Sequence, residues 1–154
     1  VIFDVQPELY EYCIVKLVLQ PILENAINYG VGSMDDCGEI KVTGRMQGEN
    51  IILSVTDNGL GMTEEEVDLI LTDSKRIRKH GSGVGLVNVN NRIQILFGKE
   101  YGLVVESEPD EGTTVSICIP AVLYTEDNRE DLEKGRMFRK EETAKEVQVK
   151  RDDE

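Results

Sequence analysis

Three polar stretches of this chain carry residue types suited to holding a charged ligand: ENAINYG from Glu24, DNGLGM from Asp57 and GSGVGL from Gly81. In the first, Asn25 and Asn28 lie three apart, so a helix would present both on one face while Ala26 and Ile27 turn to the core. An amide oxygen is a hard, neutral donor that suits a Mg2+ ion keeping most of its waters and bridging phosphates. In the second, Asp57 leaves the apolar run IILSVT and enters a loop opened by Gly59 and Gly61. A carboxylate there could accept a hydrogen bond from an exocyclic amine at a pocket floor. In the third, Gly81, Gly83 and Gly85 alternate and run straight into a helix, where uncovered amides can wrap an anion.

Each stretch also has a plainer reading. ENAINYG could be a helix with a few exposed amides, DNG is a strong turn signal by itself, and the glycines could cap a helix with no ligand. Two familiar phosphate loops are excluded by spacing. Gly81, Gly83 and Gly85 give G-x-G-x-G where a dinucleotide fingerprint needs G-x-G-x-x-G, and Leu86 and Val87 stand where a Walker loop needs lysine and serine or threonine. Lys75, Arg76, Arg78 and Lys79 precede the glycines as the densest basic cluster of the foldable region, and such runs are commonly just solvated loops. The chain as a whole has a formal charge of -13, which argues against nucleic acid or an anionic membrane as a general partner. A bound polyanion would therefore need backbone amides, a metal ion and that local basic cluster.

The elements that must position these groups follow from periodicity. The segment from Val15 to Tyr29 spaces Leu19, Ile22, Leu23, Ala26 and Ile27 as a helix, with Pro21 best placed in its first turn, so the regular part starts near 18–20. Val1 to Val5 predicts an edge strand. Glu39 to Gln47 and Ile51 to Thr56 predict a hairpin around GEN, and Thr63 with Glu66 forms a capping box for a short helix ending near Leu71. Leu86, Val89, Ile93, Leu96 and Phe97 form one face of a helix that stops at Gly98. Leu103 to Ser107 and Thr113 to Pro120 are two further strands joined by EPDEG. Hairpins with helices between them predict an α+β fold, a two-layer sandwich with a mostly antiparallel mixed sheet covered on one face by helices.

Of 154 residues, about 120 look foldable, enough for one domain with a core. From Thr125 to Glu154 eleven acidic and eight basic residues leave little to bury, which predicts a domain over 1–122 and a flexible charged tail over 123–154. Cys13, Cys37 and Cys118 are odd in number and widely spaced, as expected of reduced thiols. No apolar run is long enough to cross a bilayer. The opening at Val1 without a methionine reads as an excised piece of a longer protein.

Taken in order, ENAINY, DNGLGM, GSGVGL and EGTTV resemble the successive N and glycine boxes of GHKL (Bergerat-fold, HATPase_c) ATP-binding domains. More narrowly, LQPILENAINYG with GVGLVNVNNRIQILFG is similar to the catalytic domain of LytS/YesM-type sensor histidine kinases, over roughly Val1 to Ala121. The resemblance implies ATP and Mg2+ as ligands, with Asn25 on the metal and Asp57 on the adenine amine. It implies that Gly59, Gly61 and Met62 pass close to the base, and that Gly81, Ser82, Gly83, Val84, Gly85 and Leu86 form an ATP lid with Lys79 and His80. Thr113 and Thr114 would support the adenine pocket.

Two departures from the family pattern qualify this. Asn28 and Tyr29 stand where many members carry a lysine or histidine, which weakens phosphate contact at both. Pro21 occupies the position, one turn before the magnesium asparagine, where hydrolysing relatives carry a glutamate; Glu24 is instead adjacent to Asn25, about 100 degrees around the helix. The resemblance therefore implies phosphoryl transfer to a histidine on an upstream dimerisation segment, and then to a response regulator, with little hydrolysis. It also implies a parent protein that is a membrane-anchored homodimer with this domain in the cytoplasm. An anti-sigma-factor-type serine kinase and a scaffold module without nucleotide are the rival readings. His80, the single histidine, reads as a lid residue and not as the acceptor.

Overall fold

A computed structural model describes residues 1–12, 18–32, 34, 37–72, 84–123 and 125–127 of the chain. Five strands form one sheet in the order β1-β2-β3-β5-β4: β1 (Ile2–Val5), β2 (Ile40–Gln47), β3 (Asn50–Asp57), β4 (Gly102–Glu108) and β5 (Gly112–Pro120). Only β1 runs parallel to its neighbour; the other pairs are antiparallel, as the hairpin spacing predicts. Beyond the sheet lie α1 (Leu19–Asn25), a π-helical turn over Ala26–Val31, α2 (Glu64–Thr72) and α3 (Val84–Phe97), with a short 3-10 turn at Pro7–Glu11.

Strand alternation sorts the side chains into two layers. Ile40, Val42, Ile51, Leu53, Val55, Leu103, Val105, Val115, Ile117 and Ile119 face the helices and are buried. Ile22, Ala26, Leu86, Val89 and Ile93 close over them from α1, the π turn and α3, and each fully buried branched side chain contributes about 1.5–3 kcal/mol. The opposite face is polar: Ser54 and Ser116 share a hydrogen bond of 2.8 Å, and Thr56 and Thr114 one of 3.0 Å. Among the described residues, the helices lie on one face of the sheet.

Local chemistry accounts for most element ends. Thr63 and Glu66 make the predicted capping box: the Glu66 amide donates to Thr63 Oγ1 at 3.3 Å and the Thr63 amide to Glu66 Oε2 at 2.8 Å. Pro21 sits in the first turn of α1, where its missing amide leaves no bond unmade. Asn90 on α3 accepts the Leu103 amide at 2.9 Å, pinning that helix to β4. Phe97 and Tyr101 meet edge to face with centroids 6.0 Å apart.

Two expectations change. The helix carrying Asn25 is α only to that residue and then widens into a π turn. Inward positions recur at Ile22, Ala26 and Gly30, an interval of four that a wider turn keeps in line, so Ile27 is 47 % exposed and not in the core. Strand β3 also runs one residue further than predicted, so Asp57 belongs to the ladder and pairs with Ile40 on one side and Thr113 on the other. The tail from 128 onward lies outside the described residues. Cys37 and Cys118 are free thiols, and no described helix is long and apolar enough to cross a membrane.

Candidate functional site

Asp57 is the centre of the site. It lies on the inward face of β3 after Val55 and is only 5 % exposed, a rare setting for a carboxylate. Its Oδ1 accepts the Gly59 amide at 2.9 Å, closing an Asx turn that bends the chain out of the sheet. Burial raises the Asp57 pKa above its ordinary value of 3.8, while the amides of Gly59 and Thr113 act in the opposite direction.

Backbone of the π turn is packed against this carboxylate. A methyl group added at Gly30, in the π turn, would come within 2.5 Å of Asp57 Cγ. One added at Gly59 would collide with the Gly30 carbonyl, so the π turn and the DNG loop meet through their backbones. Glycine is required at both positions because no side chain fits. Gly61 adds a left-handed conformation, φ 66°, and lies against the Glu108 carbonyl.

The loop is tied down at both ends. Asn58 Oδ1 accepts the Glu39 amide at 2.7 Å, and its Nδ2 donates to the Cys37 carbonyl at 3.0 Å. The Asp110 amide donates to the Leu60 carbonyl at 2.7 Å, and the Met62 amide to Ser107 Oγ at 2.8 Å. Ser107 also lies 2.9 Å from the Gly112 carbonyl and 2.8 Å from Thr113 Oγ1. Thus Asp57, Gly59, Gly61, Met62 and Thr113 converge, together with Gly30, Asn58 and Ser107, to which the sequence reading assigned no role. Ser107 had a visible signal: it is the polar residue on the inward series Leu103, Val105, Ser107. Gly30 ends the stretch ENAINYG, but only its tertiary contact with Asp57 and Gly59 singles it out.

The remaining predicted residues divide. Asn25 ends α1 and is half-buried, whereas Asn28 and Tyr29 are exposed on the π turn, so the two asparagines are not presented alike. Glu24 is exposed and its Oε1 accepts a hydrogen bond from Gln20 at 2.8 Å. Gly85, in the first turn of α3, lies against Pro21, with 3.4 Å between an added Cβ and the proline Cβ. Leu86 is fully buried, so its side chain serves the core. Thr114 points to the opposite sheet face, where it bonds Thr56, because neighbours on a strand alternate; its side chain is therefore turned away from Asp57. Lys75, Arg76, Arg78, Lys79, His80, Gly81, Ser82 and Gly83 lie outside the described residues, as does the side chain of Val84.

Among the described residues no three His, Cys, Asp or Glu side chains gather as a metal cage. Asn25 offers one neutral oxygen, which fits a hard cation that takes its other ligands from phosphate and water. A groove of about 450 Å³ lies at the other end of the sheet, lined by Tyr12, Met46, Tyr101 and Pro120 among others. Among the described residues its one charged lining residue is Glu49, which would repel a phosphate.

Comparison with known proteins bears on the family and the fold. The family described as histidine kinase-, DNA gyrase B- and HSP90-like ATPases matches residues 14–123. The chain is 38 % identical to the Bacillus subtilis protein YwpD over 121 residues, 77 % of this chain and 40 % of that one. It is 34 % identical to the sensor histidine kinase YesM of Bacillus subtilis over 118 residues, 76 % of this chain and 19 % of YesM. The chain thus spans well under half the length of these relatives. The catalytic domain of the histidine kinase ThkA shares the fold, with a TM-score of 0.57 at 18 % identity over 78 % of this chain and 77 % of that one.

Proposed function

Since this chain belongs to the histidine kinase-, DNA gyrase B- and HSP90-like ATPase family, we propose that it binds Mg-ATP and donates the γ-phosphoryl group to a histidine on another segment of its parent protein. The observation that carries this reading is the buried Asp57 carboxylate, held by the Gly59 amide at 2.9 Å in a chain of this family. A carboxylate oxygen in such a place accepts from a donor, and the exocyclic amine of adenine supplies one. Gly59, Gly61 and Met62 run beside the base, and Thr113 borders it from β5.

Asn25 holds Mg2+, which neutralises phosphate charge when bound. Gly81, Ser82, Gly83, Val84, Gly85 and the Leu86 amide line the triphosphate, with Lys79 and His80 supplying local positive charge. Asn28 and Tyr29, exposed on the π turn that follows Asn25, complete the proposed set of nucleotide-binding residues. In the transfer a histidine nitrogen forms a P–N bond as the β–γ bridging P–O bond breaks and ADP leaves. Glu24, beside Asn25, takes the imidazole proton. Pro21 occupies the place one turn before Asn25, so no carboxylate stands there to activate water, which favours transfer over hydrolysis. The parent protein is a membrane-anchored homodimer with this domain on the cytoplasmic side, and a response regulator takes the phosphoryl group onward.

Titration calorimetry of the full chain tests the reading. Mg-ATP binds, and Asn25→Ala makes the affinity much less dependent on magnesium. No heat of binding with Mg-ATP in excess would remove the proposal.

A further inference from the structure

Ser107 stands at a junction that a single proton can satisfy in only one way. Its oxygen receives the Met62 amide at 2.8 Å, and an amide can only donate. It lies 2.9 Å from the Gly112 carbonyl, which can only accept. The one Ser107 hydrogen must therefore point at Gly112, or two bare acceptors would face each other at that distance. Thr113 Oγ1, 2.8 Å away, is then left to donate its own hydrogen to the second lone pair of Ser107. With its proton so committed, Thr113 can offer a ligand nothing but lone pairs. Thr113 is 6 % exposed and pairs with Asp57 across β3 and β5 on the same face of the sheet.

We infer that Ser107 is a specificity-determining positioning residue: by fixing the Thr113 hydroxyl as an acceptor beside the Asp57 carboxylate, it makes this end of the pocket select a 6-amino purine over a 6-oxo purine. The inference rests on the nucleotide reading above and adds the origin of base choice. Two acceptors side by side suit an amino group with two hydrogens, whereas the oxygen of a 6-oxo base meets them as a third acceptor. Sites built to pair a polar group reject the analogue that leaves them unpaired. Freed from Ser107, the Thr113 hydroxyl can rotate and donate, and that penalty on the oxo base is relieved.

Calorimetry on the full chain with Mg-ATP and with the inosine triphosphate complex, whose base carries a 6-oxo group and an N1–H donor in place of the 6-amino group and the bare N1 of adenine, tests this. The unmodified protein prefers ATP. Ser107→Ala lowers ATP affinity about tenfold, the scale of one hydrogen bond, with little change for the inosine nucleotide, so the preference narrows. Ser107→Thr, which keeps a hydroxyl, restores it. Thr113→Val narrows the preference by itself, and Ser107→Ala added to it has no further effect on the ratio. Equal losses for both nucleotides in Ser107→Ala would reduce Ser107 to a structural staple and overturn the inference. Should Ser107→Ala not fold, an unchanged ratio in Thr113→Val overturns it equally. An unmodified protein that binds both nucleotides alike sinks the inference alone; one that binds neither sinks the nucleotide reading with it.

Discussion

Removing a carboxylate from water disfavours its charged form, and Asp57 bears that cost in the native fold, where among the described residues Gly30 and the backbone amides of Gly59 and Thr113 lie against it. Its pKa is raised in the folded state, so the native protein holds the proton more tightly than the unfolded chain. Asp57 therefore contributes more to stability as pH falls through the window from its raised value down to 3.8, and that contribution is lost as pH rises through it. Asp57→Asn removes the buried charge. At neutral pH the variant without nucleotide should melt at the same temperature as the parent or higher, and the gap should shrink as pH is lowered through that window. Its affinity for Mg-ATP should fall on the order of 10- to 100-fold, the range for a hydrogen bond to a charged group, as read by calorimetry. Asp57 was legible in the sequence because an acidic residue directly after an apolar strand is conspicuous. The side chain of Thr114 is turned away from Asp57 because a strand sends adjacent side chains to opposite faces, which a motif taken as a string does not show.

Among the elements, the π turn is the one whose geometry the residue pattern did not announce. Apolar spacing in Leu19 to Ile27 reads as a continuous α-helix, and only the packing of Gly30 on Asp57 reveals why the helix widens after Asn25. This contact couples the segment proposed to hold the metal with the carboxylate proposed to read the base. Gly30→Ala places a methyl group within 2.5 Å of the Asp57 carboxyl carbon, and overpacking of that kind costs about 1–3 kcal/mol. Denaturant unfolding should show that loss, and affinity for adenosine, which lacks phosphates and needs no metal, should fall with it. An unaltered adenosine affinity would mean that Gly30 serves packing alone. The capping box at Thr63 and Glu66, by contrast, was legible because all its partners lie within four residues.

The whole molecule combines a net charge of -13 with a proposed polyanionic ligand, which places the burden of binding on uncharged backbone, one amide side chain and a short basic run. The chain's one histidine is His80, within that run, and the proposed acceptor lies elsewhere in the parent protein. Incubated with γ-labelled Mg-ATP, the chain by itself should therefore bind nucleotide and retain no acid-labile label; label on His80, abolished by His80→Gln, would require a different acceptor. Sequence by itself determined the layered α+β architecture, the positions of strands and helices and the order of the three polar stretches, because periodicity, caps and turn residues act over a few positions. Tertiary structure decided the π turn, the contact of Gly30 with Asp57 and Gly59, and the hydroxyl junction at Ser107. Those depend on which distant backbones approach closely enough to exclude a methyl group or share a proton, and no local pattern encodes that distance.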